Sequence, residues 1–161
     1  VADNRSSRDK LWKARKSVAE AIMAYYKNYA KEDLVVPTNR VPELLFAIDA
    51  LCGKWNMEAA NYGHVGDGNI HVNLLMADDR PHWHDEMEKA RLELYATVKE
   101  LGGTLSGEHG IGLKRKAYLP QFLDAPQLEL MRRVKAAFDP KGILNPGKLV
   151  YLENEEGRVE A

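Results

Sequence analysis

Hydrophobic residues recur at helical spacing in several segments of the chain. These segments span about residues 8–29, 42–55, 82–101 and 126–138, and a basic stretch at 114–123 predicts a turn or short helix. In the first segment, the predicted inward stripe consists of Leu11, Val18, Ile22, Tyr25 and Tyr29. The spacing thus predicts a chain in which amphipathic helices form a large part of the structure.

Strand-like patterns lie between these helices. They cover residues 31–37, the strand–turn–strand stretch 57–76, and the short segment 102–106 after a glycine helix stop. This order predicts an α+β fold, a ferredoxin-like antiparallel sheet with helices packed on one face, plus a C-terminal helical segment. We expect one domain over residues 1–150 and a disordered acidic tail over 151–161.

The stretch GHVGDGNIHVN at 63–73 is predicted to form a hairpin. Asp67-Gly68 suits a two-residue turn, which would place His64 directly opposite His71. Directly opposed side chains have Cβ atoms about 4.5–5.5 Å apart, close enough for two imidazoles to bind one metal ion. Strand alternation puts Tyr62 and Asn73 on the same face as the histidines. We therefore expect one polar face that carries a site and one apolar face that contributes to the core.

Two histidines are fewer than the three protein ligands usual in a catalytic zinc site. Glu108, in the glycine-rich stretch GEHGIG at 107–112, is the best candidate for the third ligand. Two histidines and a carboxylate also suit iron or manganese, so the ion stays open among zinc, manganese and iron. The alternative is that His64 and His71 only decorate the exposed face of a hairpin. His109 has two interpretations of equal weight, a general base or a hydrogen-bonded structural histidine.

Arg15 lies on the apolar stripe of the first predicted helix, where it either binds an anionic ligand or only reaches past the stripe to solvent or to a structural carboxylate. Periodicity alone favours the second interpretation. His82 and His84 are expected to be exposed at a helix start, because residues two apart on a helix point in different directions. Cys52 lies on an apolar stripe and is expected to be part of the core.

Composition excludes several classes of protein. The 161 residues include 23 basic and 24 acidic side chains, so neither a nucleic-acid binder nor a membrane-surface binder is indicated. No apolar run predicts a transmembrane segment, no signal-peptide pattern is present, and the single cysteine suits a cytoplasmic location. The chain lacks the Gly-x-Gly-x-x-Gly pattern of nucleotide-binding folds. It begins at Val1, and we expect a piece of a longer protein.

Five motifs together resemble the C-terminal domain of FAD-linked oxidases, in the family of glycolate oxidase FAD subunits and D-lactate dehydrogenases. They are Trp12-Lys-Ala-Arg15, Asp33-Leu-Val-Val-Pro37, GHVGDGNIHVN at 63–73, SGEHGIG at 106–112 and FDPKGILNPGK at 138–148. Their order covers residues 11–150. The resemblance implies a substrate-binding cap whose partner, an N-terminal FAD-binding domain, is absent from this chain.

The resemblance also implies roles for individual residues. Arg15 matches the arginine that pairs with the substrate carboxylate, which reverses the preference drawn from periodicity. Lys31 matches a second cationic substrate contact, and Asn73 matches a polar one. His109 matches the histidine proposed as the base at the flavin, and Asn145 corresponds to a residue near the isoalloxazine ring.

His64, His71 and Glu108 match the family's metal ligands. Ala19 replaces a hydroxyl residue found in relatives that act on dicarboxylic hydroxy acids, which favours a small substrate such as glycolate or lactate. The expected function is therefore that of a substrate- and metal-binding cap in an FAD-dependent 2-hydroxy acid oxidase or dehydrogenase. A possible further partner is an iron–sulfur electron-transfer subunit. The alternatives are a non-catalytic metal-binding or assembly module and, less favoured, a hydrolase that uses metal-bound water.

Overall fold

The computed structural model describes residues 2–150, and the predicted tail at 151–161 lies outside the described residues. Together with three short 3₁₀ helices, this part of the chain forms five α-helices and three strands. In chain order they are α1 (Arg5–Tyr25), β1 (Asn28–Val35), α2 (Val41–Trp55), β2 (Glu58–His64), β3 (Asn69–Met76), α3 (Trp83–Glu100), α4 (Leu119–Phe122) and α5 (Ala125–Phe138).

The three strands form one antiparallel sheet in the order β1-β3-β2. The segment predicted as a strand at 102–106 forms only an isolated bridge, in which Thr104 pairs antiparallel with Val35 at the outer edge of β1. With this bridge in the place of a fourth strand, the connectivity follows the predicted ferredoxin-like order. The α+β class is therefore confirmed, although the last strand is reduced to one residue pair.

Helices α2 and α3 cover one face of the sheet and close the hydrophobic core, because both carry the periodic apolar stripes that the sequence predicts. From the helices, fully buried side chains include Leu44, Ile48, Ala90, Leu94 and Val98. From the sheet they include Leu34, Val72 and Leu74. Cys52 belongs to this core, as expected.

The predicted hairpin register is wrong by two residues. His71 pairs with Tyr62 and His64 pairs with Asn69, and the loop that joins the strands is longer than two residues. Gly68 explains the difference: it has φ of +79°, and a Cβ built on it would lie 2.0 Å from the carbonyl oxygen of Val36. The loop is thus packed against the end of β1. A shift of two residues preserves strand alternation, so the two histidines still share a face.

The first and last long helices pack less tightly than their patterns suggest. Helix α1 ends at Tyr25, because the extended backbone at Tyr26 leads into β1, and Tyr29 is a strand residue. The predicted inward stripe of α1 holds only in part: Val18 and Ile22 are half-buried, but Leu11 is 57% exposed and no residue of α1 is fully buried. Helix α5 likewise buries none of its side chains among the described residues. No helix within residues 2–150 has the length and apolar character needed to cross a membrane.

A histidine- and carboxylate-lined cleft as the candidate functional site

The sheet face opposite α2 and α3 forms the floor of a cleft of about 320 Å³. Alternation along the strands places Lys31, Asp33, Tyr62, His71 and Asn73 in its lining. The remaining walls come from α1, the end of β2 and the segment after α3. Their lining residues are Arg15, His64, Glu108, His109 and Arg115, and Glu32 of β1 also contributes to the lining. The volume lies at the small end of the range typical of ligand pockets.

Three potential metal ligands meet in this cleft. The Oε1 atom of Glu108 lies 3.1 Å from Nε2 of His71 and 3.8 Å from Nε2 of His64. One donor atom from each of these residues lies within 4.8 Å of the other two. Two ligands about 2.1 Å from one tetrahedral ion are about 3.4 Å apart, so the observed distances bracket the expected value. The residues therefore fit a divalent ion in both donor type and spacing.

Asp33 offers a second grouping of donors, together with His71 and His109. Its carboxylate is 1% exposed and already accepts many hydrogen bonds. Oδ2 accepts the backbone N–H groups of Gly107, Glu108 and His109 at 3.0, 2.9 and 2.8 Å. Oδ1 accepts the side-chain amide of Asn69 at 2.7 Å. With most of its lone pairs in use, Asp33 is less suited than Glu108 to bind an ion directly.

The burial of His71 favours its neutral form. Burial lowers the pKa of His71 below its usual value, and the nearby carboxylates of Asp33 and Glu108 oppose this shift without cancelling it. The imidazoles of His109 and His64 also lower it. Neutral imidazole is the form that binds metal ions, so this environment suits a ligand.

The predicted substrate contacts lie on the wall beside these donors. The guanidinium carbon of Arg15 lies 5.0 Å from the centre of the Tyr62 ring, an arrangement typical of a cation–π contact. Nζ of Lys31 lies 3.1 Å from Sδ of Met23 on α1. The side-chain amide of Asn73 is almost fully buried and donates to the carbonyl of Ala60 at 2.8 Å. The two cations predicted to contact substrate thus line one cleft with the three potential ligands.

The structure brings His109 into the cleft but leaves Asn145 outside the cleft lining. Nε2 of the exposed His109 lies 3.4 Å from Oε1 of Glu108. Asn145 has a φ of +50°, and its side-chain oxygen accepts Nζ of Lys148 at 3.2 Å. His82 and His84 are exposed and belong to neither donor group among the described residues, in agreement with the sequence analysis. The roles of His109 and Asn145 stay predictions.

Sequence reasoning assigned no role to Asp33, Glu32 or Arg115. Asp33 could have been found, because it lies two residues from Lys31 on a strand and so shares its face. Arg115 follows an irregular segment whose path no periodicity reveals. Its guanidinium donates to the carbonyl of Gly110 at 3.3 Å, which ties it to the same loop as Glu108.

Comparison with known proteins supports the resemblance seen in the motifs. A family model described as "FAD linked oxidases, C-terminal domain" matches residues 1–149. The chain is 37% identical to D-2-hydroxyglutarate dehydrogenase of Stutzerimonas stutzeri, in a match that covers 86% of the chain and 30% of the relative. It is 34% identical to glycolate oxidase subunit GlcD of Bacillus subtilis, covering 94% and 32%. It is 36% identical to D-lactate dehydrogenase of Anaerostipes hadrus, also covering 94% and 32%.

The chain therefore spans about a third of the length of the curated relatives it matches. These relatives are named as oxidases or dehydrogenases of 2-hydroxy acids, and the family model covers all but the last twelve of the 161 residues. The chain belongs to the family of FAD-linked oxidases, of which it carries the C-terminal domain.

Proposed function

We propose that this chain is the substrate- and metal-binding domain of an FAD-dependent oxidoreductase that acts on a small 2-hydroxy acid. The observation that carries the proposal is the meeting of His64, His71 and Glu108 in a cleft that Arg15 and Lys31 also line. A 2-hydroxy acid has a carboxylate next to a hydroxyl group. The cleft offers cations for the first group and a metal site for the second.

The substrate carboxylate would be held by Arg15 and Lys31. Both side chains are partly exposed in the cleft, so an anion can reach them without first displacing a buried partner. An arginine can bind a carboxylate through two parallel hydrogen bonds, which fixes the orientation of the substrate. Asn73 adds a polar contact on the floor of the cleft. This arrangement would direct the hydroxyl group toward the histidine and carboxylate donors.

His64, His71 and Glu108 would hold a divalent ion such as zinc, manganese or iron. When bound, the ion would supply Lewis acidity to the substrate hydroxyl, and FAD, held mainly by a separate domain, would accept the hydride equivalent from the α-carbon. His109 would take the hydroxyl proton at its imidazole, since its ring lies 5.2 Å from the ring of His71, at the edge of the same donor set. From this chain, Asn145 is the residue proposed to approach the flavin ring.

The first experiment tests metal binding by the 161-residue chain alone. Isothermal titration with zinc should give one ion per chain, and His71→Ala or Glu108→Gln should weaken binding at least 100-fold because each leaves only two protein ligands. His82→Ala is the matched control: this histidine is exposed and outside the donor group, and binding should not change. At zinc concentrations 100 times the dissociation constant, the wild type should gain about 2.7 kcal/mol of stability. Equal zinc affinity in His71→Ala would refute the ligand assignment.

The second experiment tests catalysis in the complete enzyme with its FAD-binding domain. Dye reduction with glycolate, D-lactate and D-2-hydroxyglutarate should reveal turnover of at least one of the three acids. Arg15→Met should raise KM for that acid while His109→Gln lowers kcat, because the first residue binds and the second moves a proton. Zinc binding without turnover of any 2-hydroxy acid would instead support a non-catalytic metal-binding or assembly module.

A further inference from the structure

Asp33 contacts both halves of the candidate metal site. Its Oδ2 accepts three consecutive backbone N–H groups, from Gly107, Glu108 and His109. Its Oδ1 lies 3.4 Å from Nδ1 of His71. Glu108 and His71 are far apart in sequence. The Asp33 carboxylate, on β1, lies between the backbone of Glu108 and the ring of His71. The position is fully enclosed, because the Asp33 side chain is 1% exposed.

The nitrogen of His71 that faces Asp33 is otherwise unpartnered. Nδ1 is buried and has no hydrogen-bond partner among the described residues, and an orphaned buried nitrogen is costly. The other nitrogen, Nε2, faces Glu108. A proton on Nδ1 would lie toward the enclosed Asp33 carboxylate, whose charge is screened only weakly by solvent. A proton on Nε2 would face Glu108, whose charge is screened more because that side chain is half exposed. Protonation at Nδ1 leaves the lone pair of Nε2 available to an ion.

We propose that Asp33 is a positioning residue that prepares the metal site from outside the ligand set. Through Oδ2 it fixes the backbone of the turn that presents Glu108 and His109, and through Oδ1 it holds the His71 ring in the form protonated at Nδ1. A carboxylate behind a metal-binding histidine commonly raises metal affinity 10–100-fold. The inference rests on the proposed function for the identity of the ligands, but its central test needs no metal.

Asp33→Asn separates the positioning role from simple packing. The asparagine oxygen can still accept the backbone N–H groups of the turn, so the shape of the turn is conserved. Its amide N–H₂ would then face Nδ1 of His71 as a donor, and His71 would carry its proton on Nε2, the atom assigned to the ion. The Asn69 amide, which donates to Oδ1 of Asp33 at 2.7 Å in the wild type, would have to turn its oxygen toward the new N–H₂ group. Nitrogen-15 NMR of the metal-free chain reports the tautomer directly. We expect His71 to shift toward the Nε2-protonated form in Asp33→Asn relative to the wild type.

Zinc affinity gives the second measurement. Asp33→Asn should bind zinc 10–100-fold more weakly than the wild type. Ser106→Ala is the nearest control, since it removes only the 3.3 Å hydroxyl contact to Oδ2 of Asp33 and leaves the His71 side untouched. Its zinc affinity should stay within about threefold of the wild type. Glu32→Gln controls for loss of a buried carboxylate, because Glu32 is the neighbouring strand residue and is equally buried. It should leave the His71 tautomer unchanged.

An unchanged His71 tautomer in folded Asp33→Asn would overturn the proposal, and so would zinc affinity within threefold of the wild type. If Asp33→Asn does not fold, the metal-free wild type decides: His71 must carry its proton on Nδ1 there, and a His71 that carries its proton on Nε2 overturns the proposal. If the wild type binds no zinc, the proposed function fails, while the tautomer comparison still tests the positioning role.

Discussion

The buried ion pair between Glu32 and Arg91 ties α3 to the sheet, and its removal should be strongly destabilising. The Glu32 side chain is 0% exposed, and its carboxylate accepts Nε of Arg91 at 2.9 Å and the hydroxyl of Tyr95 at 2.5 Å. Nζ of Lys114 and Nε of Arg115 lie 4.0 Å from the same carboxylate. The pair connects the core to the segment that follows Glu108, and this segment forms one wall of the cleft.

The expected magnitude follows from this geometry. Arg91→Met keeps an apolar stem of similar length and removes only the charge and its hydrogen bonds. Breaking a buried pair by removing one partner costs about 3–5 kcal/mol. We expect about 3 kcal/mol, the lower end of that range, because Tyr95 and the two cations at 4.0 Å remain. This is a large share of the roughly 5–15 kcal/mol that stabilises a typical domain.

Urea unfolding of the metal-free chain, followed by circular dichroism, measures the loss. With a slope of about 2 kcal/mol/M, a loss of about 3 kcal/mol lowers the midpoint by about 1.5 M. Lys54→Met is the matched control: Lys54 pairs with Glu93 at 2.8 Å, but this pair is largely exposed and should cost less than about 1 kcal/mol. In the double variant, Glu32→Gln removes the charge that Arg91→Met leaves without a partner. The loss of stability in the double variant should therefore be smaller than the sum of the losses in the two single variants, by at least about 1 kcal/mol.

A loss below about 1 kcal/mol in Arg91→Met would refute the reasoning, because it would mean that Glu32 is neutral or solvated in the folded chain. Strict additivity in the double variant would refute it independently, since it would show that the two side chains do not interact.

Two further predictions concern titratable groups. Burial raises the pKa of Asp33, but the His109 amide and the Asn69 side chain outweigh this effect and hold it at about 2, below the ordinary value of 3.8. The carboxylate therefore stabilises the fold above pH 4, and acidification from about pH 4.5 to 2.5 should cost the metal-free wild type about 1.5 kcal/mol more than Asp33→Asn in urea unfolding. A pH-independent difference would contradict this assignment. Burial raises the pKa of the Cys52 thiol to about 11, so an aromatic disulfide reagent at pH 8 should label it roughly 100-fold more slowly than the urea-unfolded chain. Equal rates would show that Cys52 is exposed.

Local patterns determined much of the fold. The apolar stripes of α2 and α3 lie where their periodicity predicts, because both helices face one continuous core and nothing competes with that burial. The alternation in the hairpin correctly placed His64 and His71 on one face. The same logic succeeded only in part for α1, where Val18 and Ile22 are half-buried but Leu11 and Tyr25 stay exposed. Periodicity shows that a helix has an apolar face, but it does not show what that face contacts.

Only the tertiary structure decided the hairpin register and the surroundings of the predicted ligands. The loop at Gly68 packs on the carbonyl of Val36, a contact between distant segments that lengthens the turn and shifts the pairing by two residues. The position of Asp33 beneath the turn that carries Glu108 is likewise a product of strand order, since 74 residues separate it from the first amide that it accepts. The sequence by itself predicted which side chains are candidates to bind a metal and a hydroxy acid. Folding decided how far apart they lie and which carboxylate supports them, because those properties depend on contacts between segments that no local pattern encodes.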